Sequence, residues 1–176
     1  MSEIKGLLYK TELSTLLIFN RTIKCRVLDA VMPLLTYLGS GAVTISFCLL
    51  IIGLGSEGIR DTGIQALISL AVSHLMVQIL KRCICRLRPK EVVPDINTFK
   101  VSLDYYSFPS GHTAAAFSIA TALALNMHGA AAPAYAAASV VAITRLYLGV
   151  HYPSDVLAGM FLAVVSSYAV HFFAYL

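Results

Sequence analysis

Three short polar segments of this apolar chain carry the residue types that bind and cleave a phosphate ester. They are Lys81–Pro89, Pro109–Thr113 and Thr144–Asp155. Together they contain cations that can neutralise a phosphate, two histidines that can move protons or attack phosphorus, a carboxylate, and a Ser-Gly turn that opens a helix. The segments predict phosphoryl-transfer chemistry at a membrane surface.

The phosphate-binding candidates come from all three segments. Lys81, Arg88 and Arg145 supply positive charge, and each arginine offers a fork that matches two phosphate oxygens. Ser110 and Gly111 follow a proline at a helix start, where backbone N–H groups point outward and the helix dipole favours an anion. The glycine lets a phosphate approach the main chain closely.

The candidate nucleophile is a histidine with a carboxylate four residues later. Asp155 can hold one imidazole nitrogen of His151, which leaves the other nitrogen free to attack phosphorus. His112, on another helix start, is suited to protonating the departing alkoxide. Without the other segments, His151 and Asp155 would read as an ordinary helix-start pair. The sequence has no cluster of metal-ligand residues, so side chains must supply the cations, and we expect no metal and no cofactor.

The three segments resemble the signature of the type-2 phosphatidic acid phosphatase superfamily, also called lipid phosphate phosphatases. Its patterns are K-x6-R-P, P-S-G-H and S-R-x5-H-x3-D, and their order and spacing match over residues 81–155. A lone P-S-G-H is weak, whereas three linked motifs are a specific signal. One position departs from the pattern, because Thr144 stands where the family usually has serine.

The resemblance implies a metal-independent phosphatase that works through a phosphohistidine. In that scheme His151 is the nucleophile, Asp155 is its partner and His112 is the general acid. The phosphate ligands it implies are Lys81, Arg88, Ser110, Gly111 and Arg145.

Composition places the chain in a membrane. Of its 176 residues, 58% are hydrophobic and 12% are charged, about half the charged share of a soluble domain. We therefore expect residues 1–176 to form a single membrane-embedded domain. The formal net charge is +4, but the basic residues sit beside apolar runs, which favours anionic lipid as the partner over nucleic acid. Oligomeric state has no sequence signal here.

The apolar runs predict an all-α bundle with about five membrane-spanning helices, near residues 34–54, 63–85, 110–127, 134–148 and 153–175. Gly39 and Gly41 are expected to split the first span. Residues 3–26 predict an amphipathic helix that lies in the membrane interface. The loop 88–108 is expected to lack helix, because prolines and Asn97 interrupt it.

The motifs fall where the spans end. The second span ends at the first motif, the third begins at the second motif, and the third motif joins the last two spans. With one crossing per span, all three motifs meet at one membrane face. Three further residues at or near the second span have ordinary interpretations: Arg82 and Arg86 as interfacial anchors, and His74 as a packed or helix-bonded histidine that is not a ligand.

The predicted function is dephosphorylation of a membrane lipid phosphate or diphosphate. Candidate lipids are phosphatidic acid, phosphatidylglycerophosphate, undecaprenyl diphosphate and a prenyl-phosphate sugar. Two alternatives stay open, a phosphatase of a small soluble phosphate ester and an anion transporter. The short loops argue against the first, because they leave little polar surface to enclose a hydrophilic substrate. Motifs at a surface, not at the midplane, argue against an anion transporter.

The membrane face of the site is predicted differently by charge and by resemblance. Twelve of the thirteen Lys and Arg residues lie on the motif side, and only Arg60 lies on the other. Basic flanking residues prefer the cytoplasm, which favours a cytoplasmic site. Many bacterial members of the family that the motifs resemble are understood to work outside.

Overall fold

The computed structural model of the protein describes residues 2–97, 99, 105–127 and 129–174. Over these residues the chain is helical and has no β-strand, which confirms the all-α prediction; an isolated antiparallel bridge joins Leu87 to Tyr106. The described α-helices are α1 (Ser2–Leu17), α2 (Arg26–Leu35), α3 (Gly41–Leu54), α4 (Glu57–Ile84), α5 (Pro89–Val92), α6 (Gly111–Asn126), α7 (Ala131–Tyr147) and α8 (Pro153–Ala174).

The N-terminal helix ends before residue 26, where the prediction had placed its end. Helix α1 runs into a π-helical turn, Ile18–Thr22, and the chain leaves helical geometry before α2. Asn20 lies inside the π-helical turn. Its buried amide donates hydrogen bonds to the carbonyls of Tyr147 at 2.8 Å and Asn97 at 3.0 Å. These contacts anchor this turn to distant parts of the chain.

The first predicted span is bent, as the two glycines indicated. Helix α2 continues into a 3-10 turn, Thr36–Gly39, and the axis then changes by 54° into α3. Gly39 lies against the start of α6, where a β-carbon would come within 2.8 Å of the His112 carbonyl oxygen. The bend therefore brings the 3-10 turn onto the segment that carries the second motif.

Two described helices, α4 and α8, are long and apolar enough to cross a membrane, and the bent pair α2–α3 counts as a third if it forms one span. Helices α6 and α7 have 16 and 17 residues. Helix α4 starts at Glu57, six residues before the predicted start, because its first polar turns are exposed and tolerate charge.

Helix α6 occupies the middle of the bundle and contacts α4, α7 and α8. Its buried face is made of small residues such as Ala114 and Ala120, and buried Ala138 and Ala163 belong to the same core. Small side chains let helix backbones approach closely in lipid. This packing fixes α6 against the three helices that carry the other motifs.

The loop predicted to lack helix contains the short helix α5, with Pro89 at its first position. Proline is tolerated there because the first helical N–H groups have no intrahelical acceptor. The loop also returns to the end of α4, since Ser107 donates its backbone N–H to the Arg86 carbonyl at 2.9 Å. Lys100, counted above on the motif side, lies outside the described residues.

Candidate active site

Six of the eight predicted site residues line one cavity of about 540 Å³ at the end of the bundle where α4 ends and α6 starts, while Ser110 and Asp155 are buried behind it. Of the predicted site residues that line it, Lys81, Arg88, Arg145 and His151 are almost fully buried, and His112 is half-buried. The charged residues and histidines of the motifs that line it are Lys81, Arg88, His112, Arg145 and His151, and the other polar side chains of the lining are Thr44, His74 and Gln78. Three cations around one space repel each other, and an anion bound there relieves that repulsion.

His151 lies between a carboxylate and a guanidinium. Its Nδ1 is 3.4 Å from Oδ2 of Asp155, close enough for electrostatic attraction but outside hydrogen-bond geometry. Its Nε2 is 3.3 Å from Nη1 of Arg88. Burial lowers the pKa of His151 well below its usual value, and the nearby charges of Arg145, Arg88 and Lys81 lower that pKa further. The imidazole is therefore neutral at pH 7, the state in which nitrogen can act as a nucleophile.

Asp155 is held by the turn that precedes it and by a residue of the first motif. Its Oδ2 accepts the backbone N–H of Tyr152 at 2.8 Å, and its Oδ1 accepts from Nη1 of Arg86 at 2.7 Å. The carboxylate is completely buried. These bonds fix its position beside the His151 ring.

Arg86 is not the interfacial anchor that its sequence position indicated. Besides Asp155, its guanidinium contacts Oε2 of Glu12 at 2.7 Å and covers the Tyr152 ring at 4.0 Å from the centroid. Glu12 also accepts the Ser154 N–H at 3.1 Å. Glu12 and Arg86 thus connect α1 to the start of α8, while Arg82 remains exposed. A basic residue after an apolar run looks the same in sequence whether it faces water or a buried carboxylate.

Each of the two buried arginines is also held by the protein. Arg88 donates to the Val150 carbonyl at 2.8 Å. Arg145 donates to Oγ1 of Thr36 at 2.7 Å, and Thr36 is itself buried. Sequence reasoning missed Thr36, because it lies 109 residues from its partner in a turn without a motif.

The Ser-Gly turn is held against α8. Ser110 donates its backbone N–H to the Asp155 carbonyl at 2.9 Å, and its Oγ accepts from Thr113 at 3.0 Å. Gly159, one turn further along α8, lies so close that a β-carbon would be 2.5 Å from the Ser110 carbonyl oxygen. The second and third motifs therefore share one backbone junction, and the need for glycine at position 159 was not evident from the sequence.

Two further residues of the motifs and spans are placed by the structure. The Thr144 hydroxyl donates to the Val141 carbonyl of its own helix at 2.6 Å, so it bonds within α7. His74 is bonded within its helix, as predicted, with Nε2 3.2 Å from Nε2 of Gln78. It is not packed in the core, however, because it is exposed and lines the cavity.

Comparison with known proteins agrees with the geometry. A family model described as the PAP2 superfamily matches residues 62–175. The Arabidopsis thaliana protein named probable lipid phosphate phosphatase beta is 31% identical over 153 residues, which cover 71% of this chain and 68% of that protein. Several other curated relatives are matched over about half of their length.

Two crystal structures are similar over most of their length. Aquifex aeolicus LpxE superposes with a TM-score of 0.78 and 28% identity, covering 90% of this chain and 93% of LpxE. A PAP2-type phosphatidylglycerolphosphate phosphatase from Bacillus subtilis gives a TM-score of 0.81 and 26% identity, covering 96% and 87%. The motif resemblance is thereby confirmed, and the chain belongs to the PAP2 superfamily and is a phosphatase.

Proposed function

We propose that this protein removes phosphate from a membrane lipid phosphate or diphosphate through a phosphohistidine at His151. The observation that carries the proposal is the shape of the cavity. One end holds the cations and histidines, and the other is lined by apolar residues of α3 and α4, including Ile45, Leu67 and Leu70. A lipid phosphate has this same division between a charged head and a hydrocarbon tail.

In the first step, Nε2 of neutral His151 attacks phosphorus, and the bond between phosphorus and the lipid oxygen breaks. Lys81, Arg88 and Arg145, together with the backbone N–H groups at Gly111, stabilise the negative charge on the phosphoryl oxygens. Asp155 stabilises the positive charge that develops on the ring. His112 gives its proton to the leaving oxygen, which departs as the lipid alcohol.

In the second step, water attacks the phosphohistidine. His112, now neutral, takes a proton from that water while the bond between nitrogen and phosphorus breaks. Inorganic phosphate leaves, and His151 and His112 return to their starting protonation states. Both steps use only groups of residues that line the cavity, together with Asp155, which lies next to His151.

The membrane arrangement that fits this chemistry has five spans in one domain, formed by α2–α3, α4, α6, α7 and α8. The apolar helices of this chain and its similarity to a transmembrane PAP2-type phosphatase support its association with a membrane. In the proposed arrangement α1 lies at the interface, next to the end of the bundle that carries the motifs. The contact between Glu12 of α1 and Ser154 supports that position.

The names of the similar proteins support a lipid substrate. One is named a lipid phosphate phosphatase and another a phosphatidylglycerolphosphate phosphatase. By similarity we propose a phosphatidate, a phosphatidylglycerophosphate or a prenyl diphosphate as substrate, with no metal and no cofactor. The apolar half of the cavity has no use in binding a small soluble phosphate ester.

The experiment is phosphate release from a panel of lipids by detergent-purified protein, with EDTA present. We expect hydrolysis of at least one lipid phosphate, and loss of it in His151→Ala. A radiolabelled phosphoryl group should stay on wild-type protein after alkaline quench and be released by acid, the behaviour of a phosphorus–nitrogen bond. Hydrolysis of soluble esters alone, or strict dependence on added Mg²⁺, contradicts the proposal.

A further inference from the structure

Two polar side chains stand on α4 between the cationic and apolar ends of the cavity. Gln78 and His74 lie three and seven residues before Lys81, and all three line the cavity. With a rise of about 1.5 Å per residue, they are about 4.5 and 10.5 Å from Lys81 along the helix axis. The lining beyond them is apolar, at Ala71 and Leu67. The α4 wall thus changes from charged to polar to apolar.

We propose that His74 and Gln78 form a leaving-group subsite that recognises oxygen acceptors placed between the scissile phosphate and the hydrocarbon tail. This inference rests on the proposed function and narrows its substrate. It favours lipids whose leaving group carries such oxygens: the ester groups of a diacylglycerol, or the inner phosphate of a diphosphate. A prenyl monophosphate has only hydrocarbon in that position.

The bond between the two side chains leaves donors for a substrate. Gln78 and His74 are joined through their Nε2 atoms at 3.2 Å, and the histidine nitrogen either accepts from the amide or, with the amide turned over, donates to it. In both cases at least one amide N–H of Gln78 is not used by His74. When His74 accepts at Nε2, its proton is on Nδ1, which provides a second donor.

The surroundings give these residues no other evident role. His74 is exposed and Gln78 half-buried, on a helix whose neighbouring positions Ala71 and Leu75 are apolar. A polar residue within a membrane helix is costly and usually faces a cavity or a substrate path. Towards the far end of α3 and α4 the helices close up, since a β-carbon on Gly63 would lie 2.8 Å from Ile51. The cavity therefore lies at the motif end of this helix pair.

The test compares wild type with the double variant His74→Leu/Gln78→Leu on four pure lipids in mixed micelles: dioleoyl phosphatidate, its ether-linked analogue, a prenyl monophosphate and a prenyl diphosphate. Losing two neutral hydrogen bonds should lower kcat/KM about tenfold. If the acceptors are the carbonyl oxygens of the ester groups, kcat/KM falls on dioleoyl phosphatidate and not on the ether analogue, which lacks these carbonyls. If the acceptor is an inner phosphate, kcat/KM falls on the prenyl diphosphate. The prenyl monophosphate should be unaffected.

Leu75→Ala is the matched control, because Leu75 lines the same cavity without a polar group and should affect all four lipids alike. His74→Gln keeps a hydrogen-bonding amide and should retain the wild-type preference. If the double variant is not monodisperse, the single variant Gln78→Leu replaces it in the same comparison. Equal losses on all four lipids, or no loss on any, overturn the subsite while leaving the phosphatase intact. Wild type that hydrolyses none of these four lipids and no phosphatidylglycerophosphate overturns the proposed function itself.

Discussion

Arg86 bonds to Asp155 on the oxygen that does not face the histidine. Its Nη1 lies 2.7 Å from Oδ1, while Oδ2 faces Nδ1 of His151 at 3.4 Å. The carboxylate is therefore held between a cation and an imidazole. Glu12 holds the other arm of the guanidinium at 2.7 Å. An ordered row of four side chains thus leads from α1 to the proposed nucleophile.

Removing the cation from this row should impair the chemical step. We expect Arg86→Met to lower kcat by about 10²-fold with a small change in KM, because a misplaced Asp155 no longer orients His151. Glu12→Gln should have a smaller effect in the same direction. Steady-state kinetics on one lipid substrate measures both. Arg82→Met is the control, since Arg82 is exposed four residues away; an equal loss there would show that only basic charge matters.

The proposed general acid can be separated from the nucleophile by the leaving group. His112→Ala should slow hydrolysis of a lipid alkyl phosphate by about 10²–10⁴-fold. An aryl phosphate ester leaves without protonation, so formation of the phosphoenzyme from it should be slowed much less. Rapid-quench measurement of the first turnover reports this step. The same loss with both leaving groups would assign His112 to phosphate binding alone.

The low pKa of His151 makes a prediction about stability. In the unfolded chain this histidine takes up a proton near its usual pKa of about 6.5, whereas in the folded protein it stays neutral to lower pH. From about pH 6.5 downwards the unfolded state therefore binds more protons, and the free energy of unfolding falls as the pH falls. Thermal unfolding in detergent, at neutral pH and about one unit below 6.5, should show a larger decrease for wild type than for His151→Gln. Identical decreases would refute it.

The contact between α8 and the Ser-Gly turn should not tolerate a methyl group. We expect Gly159→Ala to lower the free energy of unfolding by about 1–3 kcal/mol, because its β-carbon meets the Ser110 carbonyl, and to lower activity as the turn shifts. Gly58→Ala is a matched control on an open helical face and should be neutral or slightly stabilising. Denaturation and activity assays compare the two variants. Equal stability and equal activity of the two would argue against the close contact between Gly159 and Ser110.

The distribution of basic residues predicts that the motif end faces the cytoplasm. The test uses a background without the four cysteines and two exposed positions: Glu57 begins α4, and Tyr105 precedes Tyr106, which bridges to Leu87 just after α4 ends. In intact cells, a membrane-impermeant thiol reagent should label Glu57→Cys and spare Tyr105→Cys until the membrane is opened. The reverse pattern would put the site outside, as resemblance to bacterial relatives indicates.

Local signals predicted the longer helices and six of the residues that line the cavity. Apolar runs, glycines and prolines are visible along the chain, and they placed the break at Gly39 and the starts of α6 and α8 within a few residues. The three motifs met at one end because each lies at the end of an apolar run. That result requires only that consecutive long helices run in opposite directions.

Contacts over long sequence distances were not predictable in the same way. Glu12 bonds to a residue 74 positions away and Thr36 to one 109 positions away. Neither has a spacing that recurs, and both precede the stretch matched by the family, which begins at residue 62. Their roles depend on tertiary packing, as does that of Gly159, whose neighbour across the interface only the fold reveals.

The amide of Asn20 has a consequence for the order in which the protein matures. Its two acceptors, the carbonyls of Asn97 and Tyr147, lie 77 and 127 residues later. During translation the amino-terminal turn is made first and waits for both partners until most of the chain has left the ribosome. His151 follows Tyr147 by only four residues. The second acceptor of Asn20 and the proposed nucleophile thus become available together. A nascent chain that stops before Tyr147 has neither of them.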